Sequence, residues 1–246
     1  MQGVDVVVLL AVALLLWHRA LHRRRVRRFV RSLGPLPCKR RDAAIQLTRA
    51  CFQLPKNGND PHYLATLPVI GASPADVVAG GGCCSGLSRL LILALAEAGT
   101  RAFQVTLYHR EGHAQHCLVQ AWLGEEPLLI DPTYGVVLCG PRGGPLGLAD
   151  LQAAGVLPHI QRLPDVTGAG YPDEPYYDFD YSLTQTANWT RSPPRRLLRA
   201  TLGVILGNRR AARLEVPAVL EWPQHLAALA AVGALAATHV LVYMLQ

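Results

Sequence analysis

Three residues that could perform thiol chemistry occur in order along the middle of the chain: Cys84 after a run of glycines (GGGCCSG), then His116, then Asp131. A catalytic thiol needs a lowered pKa, which the unpaired N–H groups and dipole at a helix start can provide. It also needs a base, usually histidine, and often a carboxylate that orients the base. These residue types predict nucleophilic acyl transfer, provided that the fold brings the three side chains together.

A helix predicted from Cys84 to Ala98 places the first of these side chains. The segment is apolar nearly all round, as buried helices are, and Gly99 supplies a C-terminal stop. Cys84 would then lie in the first turn. Cysteine is also among the most buried residue types, so a purely structural Cys84 is the alternative. Cys83 is predicted to be structural, with a resolving thiol as its alternative.

A predicted β-hairpin places the other two side chains. The stretch HCLVQAWLGEEPLLID contains two strands, His116–Leu123 and Pro127–Asp131, with a tight turn expected at Leu123-Gly124. In the register that this turn sets, His116 lies directly opposite Asp131. Directly opposed residues share one face of a sheet, with Cβ atoms about 4.5–5.5 Å apart. A slip of one residue would move the two side chains to opposite faces.

This arrangement resembles the transglutaminase-like cysteine hydrolase superfamily, which has a papain-like core, over about Ser73 to Gly135. The shared pattern is Gly-x-Cys, a helix ending at glycine, a histidine opening a strand and Asp-Pro-Thr closing the last strand. Its counterparts here are Gly82-Cys83-Cys84, Gly99, His116 and Asp131-Pro132-Thr133. The resemblance implies Cys84 as nucleophile, His116 as general base and Asp131 as orienting carboxylate. The spacing typical of the family selects Cys84 over Cys83, and Gln120 stands where the family often has an acid.

The activity that the resemblance implies is acyl transfer from an amide or ester through a thioester on Cys84. Release by water would make the protein a protease, amidase or deamidase. Release by an amine would make it a transglutaminase. Hydrolysis is favoured because the sequence shows no dedicated amine site, and a peptide, protein or envelope-related precursor is the expected substrate. A non-catalytic membrane scaffold that retains the fold is the alternative.

The sequence does not decide two other parts of this expected site, the second oxyanion donor and the role of the aromatic segment. The backbone N–H of Cys84 would be one oxyanion donor, and Asn57, Asn59 or Asn188 could supply the second. The aromatic and acidic segment Val166–Trp189 could be a flap over the substrate or a segment that wraps the sheet.

No cofactor is expected. His113 and His116, taken with Cys83 and Cys84, match no familiar zinc spacing, and adjacent thiols suit tetrahedral geometry poorly. The stretch GPRGG at Gly140–Gly144 lacks the Lys-Ser/Thr of a phosphate loop and is predicted to be a turn.

The central body is predicted to be one α+β domain, with helices first and an antiparallel sheet after them. Besides the elements above, periodicity and turn residues predict helices at Ala43–Gln53 and Leu146–Ala154 and a strand at Arg101–Tyr108. A short helical turn at Ser73–Val78 would have Ser73 as N-cap and Pro74 as its first residue.

Two apolar stretches predict membrane segments, since a span needs about 20 largely apolar residues. They are Gly3–Trp17 and Leu226–Leu245. The chain is thus divided into a first membrane segment (1–20), a basic juxtamembrane linker (21–41), the transglutaminase-like domain (42–190), a basic juxtamembrane segment (191–225) and a second membrane segment (226–246).

The net charge of +7 comes from two basic clusters beside these membrane segments. Residues 18–41 contain ten Lys or Arg, and residues 191–213 contain seven Arg, whereas residues 42–190 carry about −7. Clusters in this position predict contact with anionic lipid, not with nucleic acid. Because Lys/Arg-rich flanks stay cytoplasmic, the body is expected in the cytoplasm with both termini outside. The six cysteines would then be mostly free thiols.

Overall fold

The computed structural model describes residues 2–57, 73–153, 157–163, 178–186, 193–216 and 218–244. Four helices come first, the strands follow with one short helix among them, and three helices end the described chain. In order they are α1 (Gln2–Ser32), α2 (Arg40–Phe52), α3 (Pro74–Gly80), α4 (Cys84–Glu97), β1 (Ala102–Tyr108), β2 (Ala114–Leu123), β3 (Glu126–Asp131), β4 (Val136–Cys139), α5 (Leu148–Leu151), β5 (His159–Arg162), α6 (Pro193–Leu206), α7 (Asn208–Ala212) and α8 (Pro223–Met244). Short 3₁₀ turns lie at Tyr181–Leu183 and Ala218–Glu221.

The five strands form one antiparallel sheet in chain order, β1-β2-β3-β4-β5. Helix α4 packs on one face, where its buried leucines meet Val119, Ala121 and Ile130. The other face carries Leu118 and Leu129. The predicted α+β class with an antiparallel sheet is therefore confirmed.

Helix α4 has the bounds expected of a buried helix with a glycine stop. Every residue from Gly86 to Leu95 is buried, and Gly99 adopts a φ of +74°, the left-handed conformation that glycine permits at low cost. The helix therefore begins at Cys84 and runs under the sheet, as predicted.

The hairpin between β2 and β3 forms, but the predicted register is wrong by two residues. Trp122 pairs with Pro127 and Leu123 with Glu126, so the tight turn is Gly124-Glu125. Gly124 has a φ of +80°, which suits a two-residue hairpin turn better than Leu123 does. A two-residue shift preserves the face of every side chain, because the strand period is two.

Other expected elements differ in extent. The helix predicted at Leu146–Ala154 is a single turn, α5. Ser73 precedes α3 and Pro74 opens it, but the Ser73 hydroxyl makes no cap bond and instead contacts Nδ1 of His22. The stretch at Gly140 is a turn, in which the Gly143 N–H donates to the Gly140 carbonyl at 2.8 Å.

Helices α1 and α8 lie side by side and antiparallel. His239 Nε2 of α8 lies 2.9 Å from Asp5 Oδ1 of α1, and Gln224 Nε2 lies 3.3 Å from His22 Nδ1 at the opposite end. The chain therefore enters and leaves the body at neighbouring points. Two stretches are long and apolar enough to cross a membrane: Asp5–Ser32, with mean hydropathy 1.6, and Pro223–Met244, with mean hydropathy 1.9.

The basic part of α1 is anchored to the body. Val26 and Val30 join the core cluster around α4. Arg23 and Arg27 lie 2.5 and 2.6 Å from the carboxylate of Glu97 at the end of α4. The residues that follow the first apolar stretch, up to Ser32, thus continue α1 and pack against the fold.

Candidate active site

A buried imidazole and carboxylate form the centre of the candidate site. Nε2 of His116 on β2 lies 2.5 Å from Oδ2 of Asp131 at the end of β3. The side chain of His116 is 7% exposed and that of Asp131 is fully buried. A buried pair at this distance is a charge-assisted hydrogen bond, and it fixes which imidazole nitrogen faces the carboxylate.

The two residues are diagonal neighbours, because the observed register places Asp131 opposite a point two residues beyond His116. Diagonal neighbours on one face lie about 7–8 Å apart between backbones, within reach of longer side chains. Two backbone N–H groups of the turn after β3 hold the carboxylate in return. The N–H groups of Thr133 and Tyr134 donate to Asp131 Oδ1 at 2.7 and 3.2 Å.

Cys84 meets His116 from the first residue of α4. The two side chains are hydrogen-bonded to each other, and this contact lowers the pKa of the thiol while raising the pKa of the imidazole. Because Nε2 of His116 is engaged by Asp131, Nδ1 is the nitrogen left for the thiol. The structure thus brings all three predicted residues together, in the order thiol, imidazole, carboxylate.

The glycine loop before Cys84 is held by a neighbouring segment at Pro55–Asn57. The N–H of Gly82 donates to the Pro55 carbonyl at 3.1 Å, and the N–H of Asn57 donates to the Gly82 carbonyl at 3.2 Å. Gly81 has a φ of +76°, and a Cβ there would lie 2.0 Å from the Pro55 oxygen. The loop therefore requires glycine at position 81 for both conformation and space.

The protonation of His116 follows from opposing influences. Burial, the largest, by itself lowers the pKa of the imidazole. The charge of Asp131, the hydrogen bond to it and the contact with Cys84 outweigh burial and raise the pKa of His116 to about 10. At neutral pH His116 is therefore an imidazolium paired with the Asp131 carboxylate.

The pKa of the Cys84 thiol is raised, opposite to the prediction from its position at a helix start. The largest influence is a hydrogen bond with Cys117, which raises the pKa, and burial acts in the same direction. Hydrogen bonds with Cys83 and His116 lower the pKa of Cys84, but the influences that raise it are larger in sum. The thiol of a neighbouring strand thus opposes ionisation of Cys84.

Cys117 is a neighbour that the sequence did not single out. It lies next to His116 on β2, is buried, and its Sγ accepts a hydrogen bond from Gln104 Nε2 at 3.3 Å. Ser88, one turn into α4, donates to the Cys117 carbonyl at 3.2 Å. An alternating strand pattern predicts that adjacent residues face apart, and the sequence carried no signal that both would approach the start of α4.

Cys83 caps α4 without a side-chain cap bond. Its Sγ lies 3.5 Å from the Ser85 hydroxyl, and the residue is partly exposed. Its hydrogen bond to Cys84 favours the Cys84 thiolate. Cys83 therefore touches the proposed nucleophile, and its structural and resolving roles both remain predictions.

Two aromatic rings cover the imidazole of His116. The ring of Tyr134 lies 5.0 Å from it between centroids, and the ring of Phe179 lies 6.3 Å away at an interplanar angle of 17°. Phe179 is brought there by residues 178–186, which run along the free edge of β1. Thr106 and Gln185 exchange backbone hydrogen bonds of 2.7 and 3.1 Å.

The described part of the aromatic segment therefore wraps the sheet edge and also covers the site. Residues 166–177 and 187–189 of that segment lie outside the described residues. Covering an exposed strand edge prevents it from pairing with other chains. The same segment places the ring of Phe179 over the imidazole of His116.

Two of the four groups predicted as oxyanion donors, the Cys84 N–H and Asn57, lie within the described residues. The backbone N–H of Cys84 belongs to the first turn of α4, where N–H groups have no partner within the helix. The side-chain amide of Asn57 donates to the Gly80 carbonyl at 2.6 Å, in a role that supports the glycine loop. Asn59 and Asn188 lie outside the described residues.

Gln120, which stands where an acid was expected from the resemblance, has a structural partner. It is buried, and its Oε1 accepts a hydrogen bond from the Leu148 N–H at 2.7 Å. This bond satisfies the start of α5 and attaches it to the sheet. Gln120 is therefore a neutral side chain that supports packing.

In comparisons with protein-family models, with curated proteins and with solved structures, none matched this chain.

Proposed function

We propose that this protein is a membrane-anchored thiol enzyme of the transglutaminase-like type, built on a papain-like core, that transfers acyl groups through Cys84. The observation that carries the proposal is the buried His116–Asp131 pair, 2.5 Å between Nε2 and Oδ2, in contact with a thiol at a helix start. Nucleophile, base and orienting group in hydrogen-bond contact are the signature of covalent catalysis.

The proposed reaction begins when the Cys84–His116 pair loses one proton, which leaves a thiolate beside the imidazolium. The Cys84 sulfur forms a bond to the carbonyl carbon of an amide or ester, and the carbonyl electrons move to oxygen. The Cys84 N–H stabilises this oxyanion. His116 then donates its proton to the departing amine or alcohol as the carbon–heteroatom bond breaks, and a thioester remains.

Release of the acyl group uses the same residues in reverse. Neutral His116 takes a proton from water as the water oxygen attacks the thioester, and the Cys84 sulfur departs as thiolate. Hydrolysis of a peptide or protein substrate, including an envelope-related precursor, is our primary proposal. The aromatic cover of Tyr134 and Phe179 supplies flat apolar surface that suits a peptide segment.

A general acyl donor tests this chemistry without knowledge of the substrate. The full chain in detergent is treated with p-nitrophenyl acetate, which releases nitrophenolate on acylation, and the adduct is located by peptide mass mapping. We expect acetyl-Cys84, with a rate that is lost in His116→Gln. Acetylation that is spread over several cysteines, or that is equally fast in His116→Gln and in the parent, would favour the non-catalytic scaffold.

The fate of the thioester separates hydrolysis from amine transfer. The half-life of acetyl-Cys84 in water is compared with its half-life in the presence of a primary amine such as cadaverine. We expect release by water to dominate. Release that depends on the amine, with formation of the acetylated amine, would instead make the protein a transglutaminase.

The membrane anchor is proposed to be the α1–α8 pair, with the body in the cytoplasm. Large apolar side chains on both helices are exposed, including Val7 and Leu14 on α1 and Tyr243 on α8. The antiparallel contact of the two helices puts both chain ends on the side opposite the body. The positive flanks on the body side favour a cytoplasmic body.

Helix α6 is proposed to lie on the anionic inner surface of the membrane. Its exposed apolar side chains follow helical spacing on one face, at Leu197, Leu198, Val204 and Ile205. Arg196 on α6 is exposed, and the next helix, α7, carries the exposed Arg209 and Arg210. An apolar face bordered by arginine is typical of helices in the plane of a membrane interface.

Orientation can be measured with reporters. An alkaline phosphatase fused to either terminus should be active only if that terminus lies outside, and a fluorescent protein inserted beside Lys56 should be active only inside. Active phosphatase at both ends and a fluorescent inserted reporter are expected. The reverse pattern would place the body outside.

A further inference from the structure

Three side chains of the types that bind metal ions lie close together in the loop between β1 and β2. The loop reads His109-Arg110-Glu111-Gly112-His113, and His109, Glu111 and His113 place their ligand atoms within 4.8 Å of one another. Nδ1 of His109 and Nδ1 of His113 each lie 3.8 Å from the same Glu111 oxygen, Oε2. None of these three residues takes part in the acyl-transfer chemistry proposed above.

These separations approach those of ligands around a small divalent ion. A tetrahedral ion with bonds of about 2.0–2.1 Å has ligand atoms about 3.3–3.4 Å apart. The two 3.8 Å separations therefore exceed the required distance by about half an ångström, which small side-chain rotations can supply. The two imidazole rings are nearly parallel, 4.9 Å apart between centroids with an interplanar angle of 22°, so the rings must rotate before both point a nitrogen at one ion.

The loop backbone holds this geometry in advance. The His109 N–H donates to the His113 carbonyl at 2.9 Å, and the Gly112 N–H donates to the His109 carbonyl at 2.8 Å. Gly112 has a φ of +82°, which the turn requires. The Glu111 N–H donates to His109 Nδ1 at 3.3 Å, so an ion bound at this nitrogen would replace that hydrogen bond.

We propose that the β1–β2 loop binds a divalent transition-metal ion, with Zn²⁺ as the best match, through His109, Glu111 and His113. Two imidazoles and one carboxylate suit zinc, whereas magnesium and calcium prefer sets made of oxygen. Glu111 is 75% and His113 59% exposed, so solvent can fill the fourth position. The histidine and cysteine spacing in the sequence did not indicate this site, because the cluster joins His113 to His109 and Glu111.

The loop also touches the cover of the candidate active site. His109 forms a β-bridge with Phe179, whose ring stacks on His116. Ion binding would therefore hold the backbone from which Phe179 covers the imidazole. This consequence follows from the position of the loop, while the metal site itself stands independently of the acyl-transfer proposal.

Binding is measured on the full chain in detergent, stripped of metal with EDTA and with all accessible thiols alkylated by iodoacetamide. Co²⁺ is added while its visible absorption is followed, and Zn²⁺ is then used to displace it. We expect one Co²⁺ per chain, with the intense absorption of a site of low coordination number, and displacement by Zn²⁺. Alkylation excludes the cysteines as ligands, so binding and acyl transfer can fail separately.

Variants assign the ligands. His109→Gln and His113→Gln should each weaken Co²⁺ and Zn²⁺ binding at least tenfold. His159→Gln, which changes an exposed histidine on β5, should leave binding within twofold, and all three should keep the circular dichroism of the parent. No binding by the alkylated parent, or equal binding by His109→Gln, His113→Gln and the parent, would overturn the proposal.

Discussion

The carboxylate of Asp131 reaches the imidazole of His116 from a diagonal position in the sheet, with Oδ2 2.5 Å from Nε2. The other carboxylate oxygen, Oδ1, accepts the N–H groups of Thr133 and Tyr134. One side chain thus caps the turn after β3 and holds the proposed base. The two functions use different oxygens, so a substitution can separate them.

Asp131→Asn is the substitution that separates them. Asparagine can keep its oxygen on the turn, but its NH₂ group cannot accept a hydrogen bond from the N–H at His116 Nε2. We expect a folded protein whose acylation by p-nitrophenyl acetate falls by several orders of magnitude, by analogy with the roughly 10⁴-fold loss from the same change in serine-protease triads. A rate within a few-fold of the parent would show that Asp131 only caps the turn.

The pH dependence of stability should report the same pair. The folded pKa of His116 is about 10, above its ordinary value of 6.5, so folding takes up protons between these values. The stabilisation by the pair is fully present below pH 6.5 and is lost as pH rises toward about 10. Thermal melts from pH 6 to 10 should show a decline that is smaller in Asp131→Asn; parallel curves would contradict the raised pKa.

Removal of the Cys117 thiol should make Cys84 more acidic. The hydrogen bond with Cys117 is the largest influence that raises the pKa of Cys84. In Cys117→Ala the midpoint of Cys84 alkylation against pH should therefore move to lower pH, with faster labelling at neutral pH. Cys139→Ala removes another buried strand thiol and is the control; an unchanged midpoint in Cys117→Ala would assign the raised pKa to burial.

Adjacent glycines before Cys84 should respond very differently to alanine. At Gly81 the new Cβ would meet the Pro55 oxygen at 2.0 Å in a backbone with φ of +76°, whereas at Gly80 nothing lies within 4 Å. Gly81→Ala should cost more than the roughly 1–3 kcal/mol of backbone strain alone and should slow Cys84 acylation. Gly80→Ala should be nearly neutral in denaturant titrations, and similar losses in both variants would exclude this account of the loop.

Contact of α6 with lipid can be tested by depth-dependent quenching. Val204 is 88% exposed on the apolar face of α6, and Leu157 is 56% exposed on the body. In vesicles that contain anionic and brominated lipids, a tryptophan introduced by Val204→Trp should be quenched, whereas one introduced by Leu157→Trp should not. Equal quenching of both tryptophans, after subtraction of the parent signal, would contradict the proposal that α6 lies at the membrane interface.

Local patterns in the sequence were sufficient to predict the elements that carry the site. Apolar composition and Gly99 predicted α4 from Cys84, and two mainly apolar runs on either side of a tight turn predicted β2 and β3. The strand period of two also predicted that His116 and Asp131 share a face, even though the register was wrong by two. The error lay in the turn, where the left-handed conformation of Gly124 decided which pair of residues forms the loop.

The strands β4 and β5 could not be predicted in the same way. These strands have four residues each, too few for a clear period, and they are stabilised by pairing with β3 and with each other. Phe179 likewise covers His116 because residues 178–186 pair with the edge of β1. Such contacts join distant parts of the chain, so local propensity cannot predict them.

The sequence by itself determined which groups could react and on which elements they lie, because helix and strand periods are local properties of the chain. Tertiary structure decided the electrostatic state of those groups. Cys84 lies at a helix start, which favours its thiolate, yet the approach of Cys117 and burial raise its pKa. The physical reason is that pKa depends on the sum of desolvation, charges and hydrogen bonds from every neighbour in space, and only the packed fold supplies that set.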